Sequence, residues 1–131
     1  MSAQRIATVC LVVRDYDEAR DWYVEKLGFV LHADVDLGEG KRWVVVGPSG
    51  DHGARLLLAE AKNDAELSRV GNQTGGRVFL FLETDDFERD HQAMVNRGVT
   101  FKEEPRREAY GTVAVFADLY GNLWDLIEPK G

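Results

Sequence analysis

The chain has 131 residues, 44% of them hydrophobic and 30% charged, the length and balance of one globular domain with a real core. Its formal charge of −7 argues against a nucleic-acid partner, because a phosphate backbone needs a Lys/Arg surface, and it disfavours anionic membranes. The apolar run from Ile6 to Val13 is too short to span a bilayer, and neither a basic segment nor a small-residue cleavage site surrounds it, so no membrane anchor or signal peptide is expected.

In chain order, residues 5–13 are rich in β-branched side chains and read as a strand. The single cysteine, Cys10, lies in it; it reads as a small core residue, and one thiol with no partner suits a reducing cytoplasm. Asp15 then N-caps a helix, with Glu18 three residues on as in a capping box. Ala19, Trp22, Tyr23 and Leu27 follow at helical spacing, and Gly28 closes the element. Strands are predicted over residues 29–37, 42–46 and 55–59, with a Gly-Glu-Gly turn at 38–40, and a short helix over 64–70. The loop 71–76 lacks the Lys and Ser/Thr of a phosphate loop and precedes a strand, so it reads as a linker.

The order then repeats. Residues 77–84 read as a strand, and Asp85 or Asp86 caps a helix carrying Phe87, His91, Met94 and Val95. Gly98 ends that helix, and strands follow at 99–102, 110–117 and 123–128. The chain therefore reads as one domain over 1–131, made of a module at about 5–60, a linker at about 61–76 and a second module at about 77–129. The fold class is α+β, two βαβββ modules that bury their sheet faces together.

Three segments carry a family likeness. Val13-Arg14-Asp15-Tyr16-Asp17 with Trp22-Tyr23 and Lys26-Leu27-Gly28-Phe29 resembles the opening motif of the glyoxalase/bleomycin-resistance/dioxygenase, or vicinal-oxygen-chelate, superfamily. Thr84-Asp85-Asp86-Phe87 is similar to the start of the second module's helix, and Phe116 to Leu126 to the final turn and strand, where Asp-Pro-x-Gly-Asn is more usual than this chain's Asp118-Leu119-Tyr120-Gly121-Asn122. The resemblance implies an open, U-shaped mixed sheet, usually completed by dimerisation. In family enzymes a divalent metal sits in the U, held by His or Gln on a module's first strand and Glu on its last. Carried over, those positions fall on Thr8, Leu57, Phe79 and Asp125. Only Asp125 is a strong ligand, and His32, His52 and His91 do not repair the set, so no metal and no cofactor is expected.

Among the remaining candidates, Asp125 shares one strand face with Leu123 and Ile127, where a carboxylate must find a cation or donors. It either anchors a substrate or acts as a base, or it forms a structural salt bridge to an arginine such as Arg77 or Arg42. We expect the salt bridge, in which case Asp125→Asn costs about 3–5 kcal/mol. Aromatics with a polar tip suit a ligand cavity. Of Tyr110, Tyr120, Trp43 and Trp124, one or two are expected to line it and the others to be core or interface residues; Tyr110, which precedes Gly111, is the first choice, with Trp43. Arg42, Arg77, Arg106 and Arg107 either meet an anionic group or pair with Glu83, Glu103, Glu104 or Glu108 in the sheet.

The site expected is thus Thr8, Trp43, Leu57, Phe79, Tyr110 and Asp125, with Asp125 and Tyr110 the residues for any catalysis. Two functions remain open. One is a homodimeric protein that binds a small organic molecule without metal. The other is a glyoxalase-like lyase, isomerase or dioxygenase acting on a carbonyl, epoxide or aromatic compound.

Overall fold

The computed structural model describes residues 3–131. The chain divides into two compact units, one ending at Val70 and the other running from Gly71 to Gly131. No helix among the described residues is long and apolar enough to cross a membrane.

The first unit contains β1 (Thr8–Val13), α1 (Tyr16–Glu25), β2 (Val30–Gly38), β3 (Lys41–Gly47), β4 (Arg55–Glu60) and the single-turn α2 (Asp64–Leu67). Its four strands lie in the order β1-β4-β3-β2, with β1 parallel to β4 and the other pairs antiparallel. The helix forms as the sequence predicts. Asp15 is extended and its carboxylate accepts from Glu18 N at 2.9 Å, while the Glu18 carboxylate is engaged by Arg14. Ala19 and Tyr23 are fully buried, as are Leu11, Val13, Val44 and Val46, and this is the core.

Strand β1 starts at Thr8 rather than at residue 5, and Ile6 is exposed. Cys10 is exposed too, which corrects its reading as a core residue. Strand parity explains it: Leu11 and Val13 take the buried face, so Cys10 takes the other, opposite Leu57. An unbroken apolar run gives no clue to which parity is the buried one.

The second unit repeats the plan with β5 (Val78–Glu83), α3 (Phe87–Asn96), β6 (Thr100–Phe101), β7 (Arg106–Glu108), β8 (Gly111–Ala117) and β9 (Leu123–Pro129). The order is β5-β9-β8-β6, with β7 also pairing with β8, and β5 is parallel to β9. Asp86 caps α3 through Arg89 N at 3.1 Å. Phe87, Met94, Phe116, Trp124 and Leu126 are buried, and a run of ring contacts joins Phe87 to His91, Phe101, Phe116 and Trp124. One device recurs in both units. A glutamate near the end of the last strand accepts from the first helical N–H, Glu60 from Tyr16 at 3.2 Å and Glu128 from Phe87 at 2.7 Å. Each carboxylate satisfies an orphan donor and places negative charge at the positive end of the helix dipole.

Candidate functional site

In each unit the helix covers one sheet face, and the expected site residues fall mostly on the other. In the first sheet Thr8 and Cys10 share a face of β1, Leu57 lies opposite Cys10 and Val45, and Trp43 stands two residues from Val45. Thr8, Leu57 and Trp43 thus share the face that carries Cys10. Trp43 is 44% exposed there, opposite Val35 across the β2–β3 pair.

In the second sheet Asp125 lies between Phe81 of β5 and Val115 of β8. The adjoining row on the same face is Glu83, Ile127, Val113 and Arg106. Phe81 is 64% exposed, an unusual value for a phenylalanine in strand register with a carboxylate. Phe79 occupies a bulge in β5 and meets the Trp124 ring edge-on at a centroid distance of 6.3 Å, so it packs on the core.

Arg106 organises this corner. Its Nε donates to both oxygens of Glu103 at 3.0 and 3.1 Å, and its Nη1 donates to Glu108 at 3.0 Å. Tyr110 adds a side-chain hydrogen bond, and together these three partners hold the guanidinium firmly protonated. Glu103 also accepts from Val115 N at 3.0 Å, beside Asp125 in the ladder. Tyr110 and Asp125, the two residues put forward for catalysis, are therefore both neighbours of Arg106.

The salt bridge expected for Asp125 is absent. Arg42 pairs instead with Asp34 at 2.8 Å and Asp17 at 2.8 Å, and its guanidinium also lies over the Tyr16 ring. Among the described residues no ion pair includes Asp125, and its buried Oδ1 has no hydrogen-bond partner. Burial pushes its carboxyl above the ordinary range, the nearby Arg106 pulls the other way, and Glu103 adds to the rise.

The consequence for stability reverses the expectation drawn from the sequence. A carboxyl that titrates higher in the folded state takes up protons on folding. Its contribution is most favourable below the unfolded-state value, about 3.9, and is lost as pH rises through the folded one. At neutral pH the ionised group opposes folding. Asp125→Asn is expected to stabilise the protein at pH 7 by at most about 1 kcal/mol, solvent screening of this partly exposed carboxyl keeping the gain small, and the gain disappears in acid. Denaturant titrations of both proteins at the two pH values check this, and a lower midpoint for the mutant at pH 7 would contradict it.

The glutamates that the sequence offers as partners of Arg106 include Glu103 and Glu108, and both pair with it, whereas Phe81 is not among the site residues expected. Val78 to Leu82 is an unbroken apolar run, so nothing in the sequence fixes which face Phe81 takes. Glu103 lies outside any regular element, so no periodicity marks it.

Comparison with known proteins agrees with this architecture. The chain is 56% identical over 126 residues to an uncharacterized protein of Shewanella frigidimarina (strain NCIMB 400), covering 95% of this chain and 93% of that one. Its fold matches the crystal structure of UcmS2 with a TM-score of 0.83 at 28% identity, over 97% of this chain and 99% of that one. It matches TnmS3, an antibiotic binding protein from Streptomyces sp. CB03234, with a TM-score of 0.78 at 30% identity, over 99% of each chain. The sequence model of the Glyoxalase/Bleomycin resistance protein/Dioxygenase superfamily matches residues 5–126, and the chain belongs to that superfamily.

Proposed function

We propose that this protein binds a small organic molecule without the help of a metal ion, as a homodimer in the cytoplasm. The observation that carries this reading is the likeness to an antibiotic binding protein along 99% of both chains. The donor chemistry supports it. At the positions that correspond to the family's metal ligands stand a hydroxyl, Thr8, two hydrocarbon side chains, Leu57 and Phe79, and one carboxylate, Asp125, a set that does not fit a divalent cation. Among the described residues no group of three or more His, Cys, Asp or Glu side chains could hold one. Trp43 offers a flat exposed surface for a planar ligand. Exposed Val30, Leu31, Val35 and Leu37 on β2, which lies at an edge of its sheet, favour a partner copy.

A second reading, acid/base catalysis by Asp125 with Tyr110, is favoured by the raised Asp125 carboxyl. Native mass spectrometry with metal-free bleomycin and with daunorubicin separates the two. The binding reading expects a dimer that retains at least one of these compounds and releases it with unchanged mass and an unchanged NMR spectrum, which excludes isomerisation, and weaker retention by Trp43→Ala. Conversion of a compound to a new mass or a new spectrum would establish the enzyme, and retention of neither would overturn the binding reading.

A further inference from the structure

We infer that the Asp125 face of the second sheet is a subsite for a basic nitrogen on the ligand, with the Asp125 carboxylate as its counter-ion and the Phe81 ring as its apolar wall. The inference rests on the binding reading above and adds the chemistry of what is bound.

The first observation is the orphaned oxygen. Asp125 stands in the middle strand of three, between Phe81 and Val115, and its Oδ1 has no donor among the described residues. A carboxylate desolvated without a partner weakens the fold, and the one guanidinium near it does not provide the remedy. Arg106 is committed to Glu103, Glu108 and Tyr110, which leaves Asp125 facing a cation that other groups have already claimed. No described residue completes Asp125, and in this inference the ligand's cation does so.

The second observation is independent of charge. Phe81 lies directly across the ladder from Asp125 and is 64% exposed, although an aromatic side chain in a sheet ordinarily finds cover. A ring face beside an unpaired carboxylate is the pairing that receives an ammonium group on an apolar frame, through ion pairing on one side and cation–π attraction on the other. The local balance selects a cation over a neutral donor. Asp125, Glu103 and Glu108 set three carboxylates against the single guanidinium of Arg106, Glu83 stands in the next row of the same face, and the whole chain carries −7. An anionic ligand would meet the same field as repulsion.

Isothermal titration calorimetry with daunorubicin, which carries a protonated amine, and with N-acetyl-daunorubicin, which is neutral there, tests the subsite. Wild type is expected to bind the amine at least about tenfold more tightly, and Asp125→Asn to erase that difference by weakening the amine alone. Phe81→Ala, at an exposed position, is expected to weaken both compounds. Equal affinity of wild type for the two compounds, or a preference that survives in Asp125→Asn, overturns the subsite. So does the absence of heat from both anthracyclines at two well-separated temperatures while bleomycin still binds, and in each of these cases the binding reading stands. Absence of binding by all three compounds overturns the binding reading together with the subsite.

Discussion

Replacing Gly111 by alanine is expected to destabilise the protein by about 4 kcal/mol, a large share of the roughly 5–15 kcal/mol that holds a domain together. Two costs combine there. The residue has φ +149°, a backbone conformation that side chains rarely adopt. An added Cβ would also overlap the carbonyl oxygen of Glu128 and press on Pro129 Cα, both backbone atoms of the adjacent central strand. Neither neighbour is the far end of a flexible side chain, so the strand itself must shift. Glu128 is the residue whose carboxylate caps α3 through Phe87 N, and moving its backbone disturbs that contact as well. Gly53→Ala is the control, since a Cβ there meets nothing within 4 Å and its φ is unexceptional. Denaturation midpoints of the two mutants should separate widely, and equal midpoints would show that the β8–β9 pair yields more easily than its geometry suggests.

Asp118→Ala is expected to cost about 3 kcal/mol. Asp118 is 5% exposed and ties the turn between β8 and β9 into a knot. Its Oδ1 accepts from Tyr120 N and Asn122 N, both at 2.9 Å, and its Oδ2 accepts from Asn122 Nδ2 at 3.0 Å. Asn122, also buried, passes the constraint on by accepting from Gln73 N at 3.3 Å. Alanine removes three charge-assisted hydrogen bonds at once and leaves their donors with no replacement acceptor from that side chain. Amide exchange should accelerate at Tyr120 and Asn122 in the mutant, with the denaturation midpoint falling in parallel. Unchanged exchange at those two amides would mean that backbone pairing, including Asp118 N to Asn122 O at 2.9 Å, holds the turn unaided.

Much of the fold was legible because its signals are local. Asp15 and Asp86 announce the two helices, and Gly28 and Gly98 follow them in matching positions, both with positive φ. The three polar residues Arg106 to Glu108 gave no strand signal, since β7 is held by pairing with β8 and not by an apolar pattern. That Asp125 lacks an arginine partner among the described residues was illegible for a different reason. Each arginine chose among several carboxylates, and the winners were close at hand. Arg106 took Glu103 and Glu108, near it in sequence, and Arg42 took Asp34 across the β2–β3 hairpin and Asp17 on the helix above. Closing a short loop costs less entropy than a long one, so nearby carboxylates outcompete a distant one of equal chemistry. Thr8, Leu57 and Phe79 came from positions that the family resemblance implies, and Trp43 from its chemistry; Thr8, Leu57 and Trp43 share one sheet face, whereas Phe79 sits at a bulge in β5.

The parallel pairing of first and last strands has a bearing on how the chain acquires its structure during synthesis. Among the described residues strand β5 finds its ladder only on β9, so Val78 to Glu83 leaves the ribosome well before the strand that will receive it. The hairpin of β8 and β9 is local and closes within microseconds once made, but until then the segment Val-Phe-Leu-Phe-Leu stands unpaired. Short, uncharged, apolar stretches of high β propensity are the seeds of intermolecular aggregation. Arg77 and Glu83 flank this one with opposite charges, in the manner of gatekeepers that keep neighbouring nascent chains from joining at an open edge.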